Sequence, residues 1–173
     1  MVLSYDPKSA PAMQSAKMAL DTGNANYVLI WVPEESENKV KNLLEKTCCE
    51  SNTQTNMQNR AIDWYFESVN RLFYANVWTH CYHMKSEGID VKPIVLVIER
   101  AIESGNFDEI GSLIPNTRER DARQRFCDLM SKRNYDVNNI AAGRDYVTSF
   151  IDLIVYLHNL STENSGGSGH AVY

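Results

Sequence analysis

The side chains most able to do chemistry in this 173-residue chain are carboxylates and phenols at helical spacing. Asp63, Glu67 and Tyr74 recur at intervals that place them on one helix face, with Asn70 or Arg71 between. Asp145, Thr148 or Ser149, Asp152, Tyr156 and Asn159 form a second such stripe. Two acidic stripes that meet in a desolvated place would act as general acid and base, because burial raises a carboxyl pKa toward neutrality. Glu67 and Asp152 are the candidates for that role, joined by Asp6 from the N-terminal arm. A ligand pocket around them would be walled by Tyr5, Phe66, Phe73, Tyr74, Trp78, Thr148, Val155 and Tyr156. The competing reading makes Glu67 with Arg71, and Asp63 with Arg60, ordinary ion pairs.

Other donors carry less. His80-Cys81-Tyr82-His83 offers zinc-type ligands, but no second Cys/His pair stands at the spacing a closed site needs, so the stretch reads as a surface loop. No metal or cofactor is expected. His158 sits near a helix C-terminus and reads as a cation facing the dipole. No Ser or Cys has a nucleophile context. Gly166 to Gly169 has linker composition rather than that of a phosphate loop.

The elements that must position these groups follow from a repeat. Ala19-Leu20-Asp21-Thr22-Gly23-Asn24 recurs as Ala101-Ile102-Glu103-Ser104-Gly105-Asn106, and Pro33 recurs as Pro115. Both the glycines (105 − 23) and the prolines (115 − 33) are 82 residues apart. At the same offset Asp63 falls on Asp145, Trp64 on Tyr146, Val69 on Ile151 and Tyr74 on Tyr156. A gapless offset is the mark of internal duplication. The expected fold is all-α: one domain over 1–160, a helical bundle of two units (about 9–78 and 93–160) related by a pseudo-twofold axis.

Within each unit a helix ends at the glycine, which takes the left-handed conformation of a C-cap. A short helix follows (the apolar run Tyr27 to Val32, and Asp108 to Ile114), then a proline-led helix, a polar loop and a long helix. The long helices are expected to pack against each other, because Tyr146, Val147, Phe150, Ile151, Leu153, Ile154, Val155 and Leu157 leave the last one only a narrow polar face. Glu50 to Gln58 and Thr79 to Lys92 read as connections, and 161–173 as a disordered tail.

Composition narrows the function. Forty-three per cent of residues are hydrophobic, enough for one core or two coupled ones. Net charge is −5, with 17 basic against 22 acidic residues, which argues against sequence-independent nucleic-acid binding. The run Arg118, Arg120, Arg123 and Arg125 is interleaved with Glu119 and Asp121, as on a solvated face. No stretch reaches membrane-span length, no signal peptide is evident, and Cys48, Cys49, Cys81 and Cys127 read as reduced thiols of a cytoplasmic protein.

The pattern from Ala19 to Glu35, with Asp63-Trp64-Tyr65-Phe66-Glu67 and Asn134-Tyr135-Asp136 through Ala142-Gly143-Arg144-Asp145-Tyr146-Val147, resembles a family of small uncharacterised prokaryotic helical proteins. The likeness runs from about Ser4 to Leu160. It implies a shared fold rather than an activity. Members of that family resemble one another in an N-terminal His-Cys-Asp-Thr-x-Asp-Gly-Pro stretch, matched here by Ser4, Tyr5, Asp6, Pro7, Ser9 and Pro11. They carry histidine at the positions of Phe73 and Val155, glutamate at Val77 and a carboxylate at Thr148. The resemblance thus implies a metal site in relatives whose three histidines are Ser4, Phe73 and Val155 here, with Glu67 and Asp152 kept as acids.

The expected function is binding of a small molecule in an apolar pocket between the units, in a metal-free lyase, isomerase or cyclase using a carboxylate acid/base. Two alternatives stand beside it. One is a non-catalytic ligand carrier or a module that forms a homodimer through its apolar surfaces. The other is a metal-binding protein using Asp6, Glu67, Asp152 and a histidine such as His80 or His83.

Overall fold

The computed structural model describes residues 11–50, 56–80 and 91–166, apart from the side chains of Glu50, 56–58, Trp78, His80 and 162–166. Within them lie eight α-helices and no strand: α1 (Pro11–Thr22), α2 (Asn26–Leu29), α3 (Glu37–Glu50), α4 (Asn56–His80), α5 (Lys92–Ser104), α6 (Asp108–Gly111), α7 (Glu119–Lys132) and α8 (Ile140–Gly166). The all-α expectation holds.

The stops explain the boundaries. Gly23 and Gly105 have φ of 71° and 69°, a region in which a Cβ is costly. Thr22 Oγ1 accepts the Asn24 N–H at 3.2 Å, and Asn24 Oδ1 accepts the Asn26 N–H at 3.0 Å. Ser104 Oγ and Asn106 Oδ1 accept the N–H groups of Asn106 and Asp108 at the same two distances. The Thr/Ser-Gly-Asn triplet therefore ends one helix and starts the next with side-chain oxygens standing in for backbone acceptors. Pro33 and Pro115 are extended (ψ 146° and 143°), each leading through a short 3-10 turn into α3 and α7. The bounds of α2, α3, α6 and α7 keep the spacing of 82 residues (108 − 26, 119 − 37).

Burial follows the apolar stripes. Ala12, Ala16 and Ala19 have no exposed surface, so the backbone of α1 comes close to α4, whose Tyr65 hydroxyl donates to Ala16 O at 3.1 Å. On α5 the buried stripe is Val95, Ile98, Ala101 and Ile102, and on α7 it is Ala122, Phe126 and Leu129. Helix α8 buries Tyr146, Val147, Phe150, Ile151, Leu153, Ile154 and Leu157 while Asp145, Thr148, Asp152 and Asn159 face outward. That is the narrow polar face expected of it.

Three expectations need amending. Helices α4 and α8 touch, but each packs most extensively on the helix before it, α3 and α7. The reason is an aromatic wedge. Trp31, 2% exposed, meets Phe73 of α4 at 5.7 Å and Tyr146 and Phe150 of α8 at 6.0 and 5.6 Å, all edge to face. The second amendment concerns the chain end: α8 continues to Gly166, so 161–166 is helical where disorder was expected. Residues 167–173, and most of the Thr79 to Lys92 connection, lie outside the described residues. The polar loop before α4 shortens too, since α3 reaches Glu50 and α4 begins at Asn56.

Candidate functional site: a buried acid on α5

The most chemically unusual side chain is one that sequence reading passed over. Glu99 lies on the buried stripe of α5, one residue after Ile98, and is only 8% exposed. Its Oε1 has no hydrogen-bond partner among the described residues. A carboxylate without a partner is costly to bury, and the protein meets that cost by keeping the group protonated. Burial, reinforced by the nearby negative charge of Glu103, pushes its pKa up to about 8.

Glu99 lines a cavity of about 260 Å³. Its walls come from both ends of the chain: Pro11, Gln14, Ser15 and Met18 of α1, Trp31, Glu99, Ile102 and Glu103 of α5, Arg133 and Tyr135 from the α7–α8 connection, and Tyr146 of α8. Each wall is held in place. The Trp31 indole N–H donates to Ser15 Oγ at 2.9 Å, and its carbonyl accepts from Asn76 Nδ2 at 3.2 Å. Arg133 Nη1 donates to Ile102 O at 2.9 Å, which turns that guanidinium toward the end of α5. The rings of Tyr135 and Tyr146 lie 5.6 Å apart, tilted by 32°. Gly143 makes room for this: a Cβ there would come within 2.6 Å of Ile30 Cγ2 and 3.1 Å of Tyr135 Cε2.

The phenols stay protonated. Burial pushes Tyr146 up to about 12, with Tyr135 and Glu99 adding to the effect and Arg133 opposing it. Burial also raises Tyr135. Around neutral pH the cavity thus presents a protonated carboxyl, two neutral phenols, a hydroxyl and an indole, with one carboxylate and one guanidinium alongside.

The residues singled out from sequence are scattered. Glu67 is exposed in a groove between α3 and α4 with Leu43, Lys46, Asp63 and Trp64. Asp152 is exposed in a separate depression between α7 and α8 with Arg125, Asp128 and Ser149. There Lys132 bridges Asp128 at 3.0 Å and Asp145 at 3.4 Å, so Asp145 belongs to a surface ion-pair cluster. Phe73 has no exposed surface and packs on Trp31 and Tyr74. Phe66 packs on Tyr65, Val155 is half-buried, and Thr148 donates to the Arg144 carbonyl. Tyr156 lies under the Arg125 guanidinium, 4.7 Å from the ring centre. Tyr5, Asp6 and the side chain of Trp78 lie outside the described residues, as do His83 and the side chain of His80.

His158 corrects an expectation. It is 3% exposed within α8, and neither ring nitrogen has a partner among the described residues. It is a buried side chain within the body of α8 rather than one facing the helix end, because α8 runs on past it to Gly166. Among the described residues no three His, Cys, Asp or Glu side chains gather as a metal site would, and no helix is long and apolar enough to cross a membrane. Cys48, Cys49 and Cys127 are free thiols.

The fold and cavity define an all-α protein with an acid-containing pocket walled by α1, Trp31, α5, the α7–α8 connection and α8. The chain belongs to a family of unknown function, DUF6448, whose family model matches residues 9–156. No curated protein and no solved structure matches it. Membership accords with the resemblance to an uncharacterised helical family seen in the sequence.

Only a weak signal in the sequence pointed to Glu99: an acid set between Ile98 and the Ala101–Ile102 pair on an otherwise apolar stripe. An acid on a core-facing position is an inconsistency that marks functional sites.

Proposed function

We propose that this chain binds a small molecule in the cavity between its two helical sets, with Glu99 as the group that holds or moves a proton. The observation that carries the reading is the buried Oε1 of Glu99, without a hydrogen-bond partner among the described residues, on a residue 8% exposed in the wall of a cavity of about 260 Å³. A fold gains no stability from such a group, so its presence fits a role in binding or proton transfer. A carboxyl tuned toward neutrality exchanges protons with a substrate more readily than an exposed one. This suits a metal-free lyase, isomerase or cyclase type of reaction. In this reading Glu99 takes the acid/base place, since Glu67 and Asp152 are solvent-exposed.

The two helical sets are, in the same proposal, duplicated units about a pseudo-twofold axis. Support comes from the shared spacing of four helix bounds and from the matching hydrogen bonds after Gly23 and Gly105. The site departs from that symmetry. Trp31 is buried in it, whereas the residue 82 positions on, Leu113, is 55% exposed.

The test is a fragment screen by protein-observed NMR, covering small amines, alcohols and carboxylic acids. Binders should move the Trp31 indole N–H resonance and the amides of Glu99 and Tyr146 together. If every binder instead moved Trp64 and Lys46 in the α3–α4 groove, the cavity would be the wrong site.

A further inference from the structure

The cavity's charge pattern specifies a ligand class, on the premise that the cavity binds a small molecule at all. We infer that the ligand is a small organic cation, a primary ammonium on an aromatic or similarly flat apolar body, whose ammonium group pairs with Glu99. Three observations lead there. The buried Oε1 of Glu99 lacks a partner, so the site offers a hydrogen-bond acceptor that no described protein group uses. A second carboxylate, Glu103, lines the same cavity one helical turn away. Three further lining residues, Trp31, Tyr135 and Tyr146, are aromatic, and aromatic rings favour cations as well as flat apolar bodies.

The charges that face Glu99 can be taken element by element. Its own helix supplies Glu103, the α7–α8 connection supplies Arg133 and Tyr135, and α8 supplies Tyr146. Helix α1 contributes only uncharged side chains to the cavity, and Trp31 is neutral. Arg133 is the one cation among the described residues of the wall, and its Nη1 donates to Ile102 O at 2.9 Å. An ammonium ion would thus face two groups able to carry negative charge and one guanidinium, whereas an anion would be repelled by Glu103 and would hold Glu99 protonated.

Binding a cation has a proton signature. In the empty cavity Glu99 is mostly protonated near neutral pH, because its pKa is pushed up to about 8. Pairing with an ammonium favours the carboxylate, so Glu99 gives up its proton to solvent as the ligand enters. The ammonium keeps its own protons and the balance is one carboxyl proton released. A neutral ligand that accepts a hydrogen bond from the protonated carboxyl would release none.

Calorimetry on the full chain, in buffers of different ionisation enthalpy near neutral pH, separates these cases. The probes are 2-phenylethylamine, 2-phenylethanol and 3-phenylpropionate, with NMR of Trp31 and Tyr146 to place each one. The amine should bind more tightly than both others and release a proton on binding. Glu99→Gln should weaken the amine about tenfold or more, as loss of a charge-assisted hydrogen bond does, and abolish proton release. Binding of the alcohol should change by no more than about twofold in that variant. Glu99→Asp, which keeps the charge, should retain proton release, and circular dichroism should show both variants folded. If the alcohol or the propionate bound in the cavity as well as the amine, the cation assignment would be wrong while the pocket stood. Amine binding without proton release, or unaffected by Glu99→Gln, would also overturn it. If no probe moved Trp31 or Tyr146, the pocket reading and the ligand class would fall together.

Discussion

At the scale of single residues, Glu99 and His158 are two polar side chains that the core holds without hydrogen-bond partners among the described residues. For Glu99 the consequence is a pH-dependent stability. Its folded pKa, about 8, lies above the ordinary value of 4.5, so the folded state keeps a proton that the unfolded state releases. Stability from this group is therefore full below about 4.5, falls as pH rises, and is lost above about 8. Glu99→Gln, which resembles the protonated acid, should remove that slope and leave the variant more stable than the wild type by roughly 3–5 kcal/mol at mildly alkaline pH. Chemical denaturation across that pH range checks it; parallel wild-type and variant profiles would place the Glu99 pKa at an ordinary value. For His158, replacement by leucine should be neutral or stabilising by about 1 kcal/mol, because no partner is lost and an unpaired polar group is removed. A melting temperature lower by several degrees would mean that the ring nitrogens have partners after all.

At the scale of elements, close approach decides the site's shape. Helix α8 can lie against Ile30 and Tyr135 because position 143 carries no side chain. Gly143→Ala should push Tyr135 off Tyr146 and destabilise the fold by about 1–3 kcal/mol, the usual cost of overpacking, despite alanine's better helix propensity. A change in tyrosine fluorescence or near-ultraviolet dichroism together with the lowered stability would report the shift. Unchanged or increased stability would show that the backbone yields there. Arg144, the next residue, adds a polar tie between α8 and the start of α3, donating from Nη1 to Glu34 at 2.8 Å and from Nη2 to Glu37.

At the scale of the whole molecule, Trp31 joins α1, α4 and α8. It contacts α1 through Ser15, α4 through Phe73 and Asn76, and α8 through Tyr146 and Phe150, and it also lines the cavity. Trp31→Ala should cost about 3–5 kcal/mol, at the upper end for a core truncation. Trp31→Phe should cost less and still lose the bond to Ser15. Equilibrium unfolding of both variants measures this, and a loss below about 1 kcal/mol for alanine would deny Trp31 its central place.

Much of the fold was legible in the chain, and little of the candidate site. Helix stops at Gly23 and Gly105, extended prolines at 33 and 115, and apolar spacing along α5, α7 and α8 are local properties, set by backbone sterics and by period 3.6. A sequence states such properties outright. The site depends on which faces meet. Asp63, Glu67, Asp145 and Asp152 form tidy stripes, yet tertiary packing turns all four to solvent, because Trp31 and its aromatic partners occupy the space between α4 and α8. Glu99 carried no motif. What made it unusual was the desolvation imposed by α1, Trp31 and Tyr146, elements remote from it in the chain, and only the folded arrangement could bring that about.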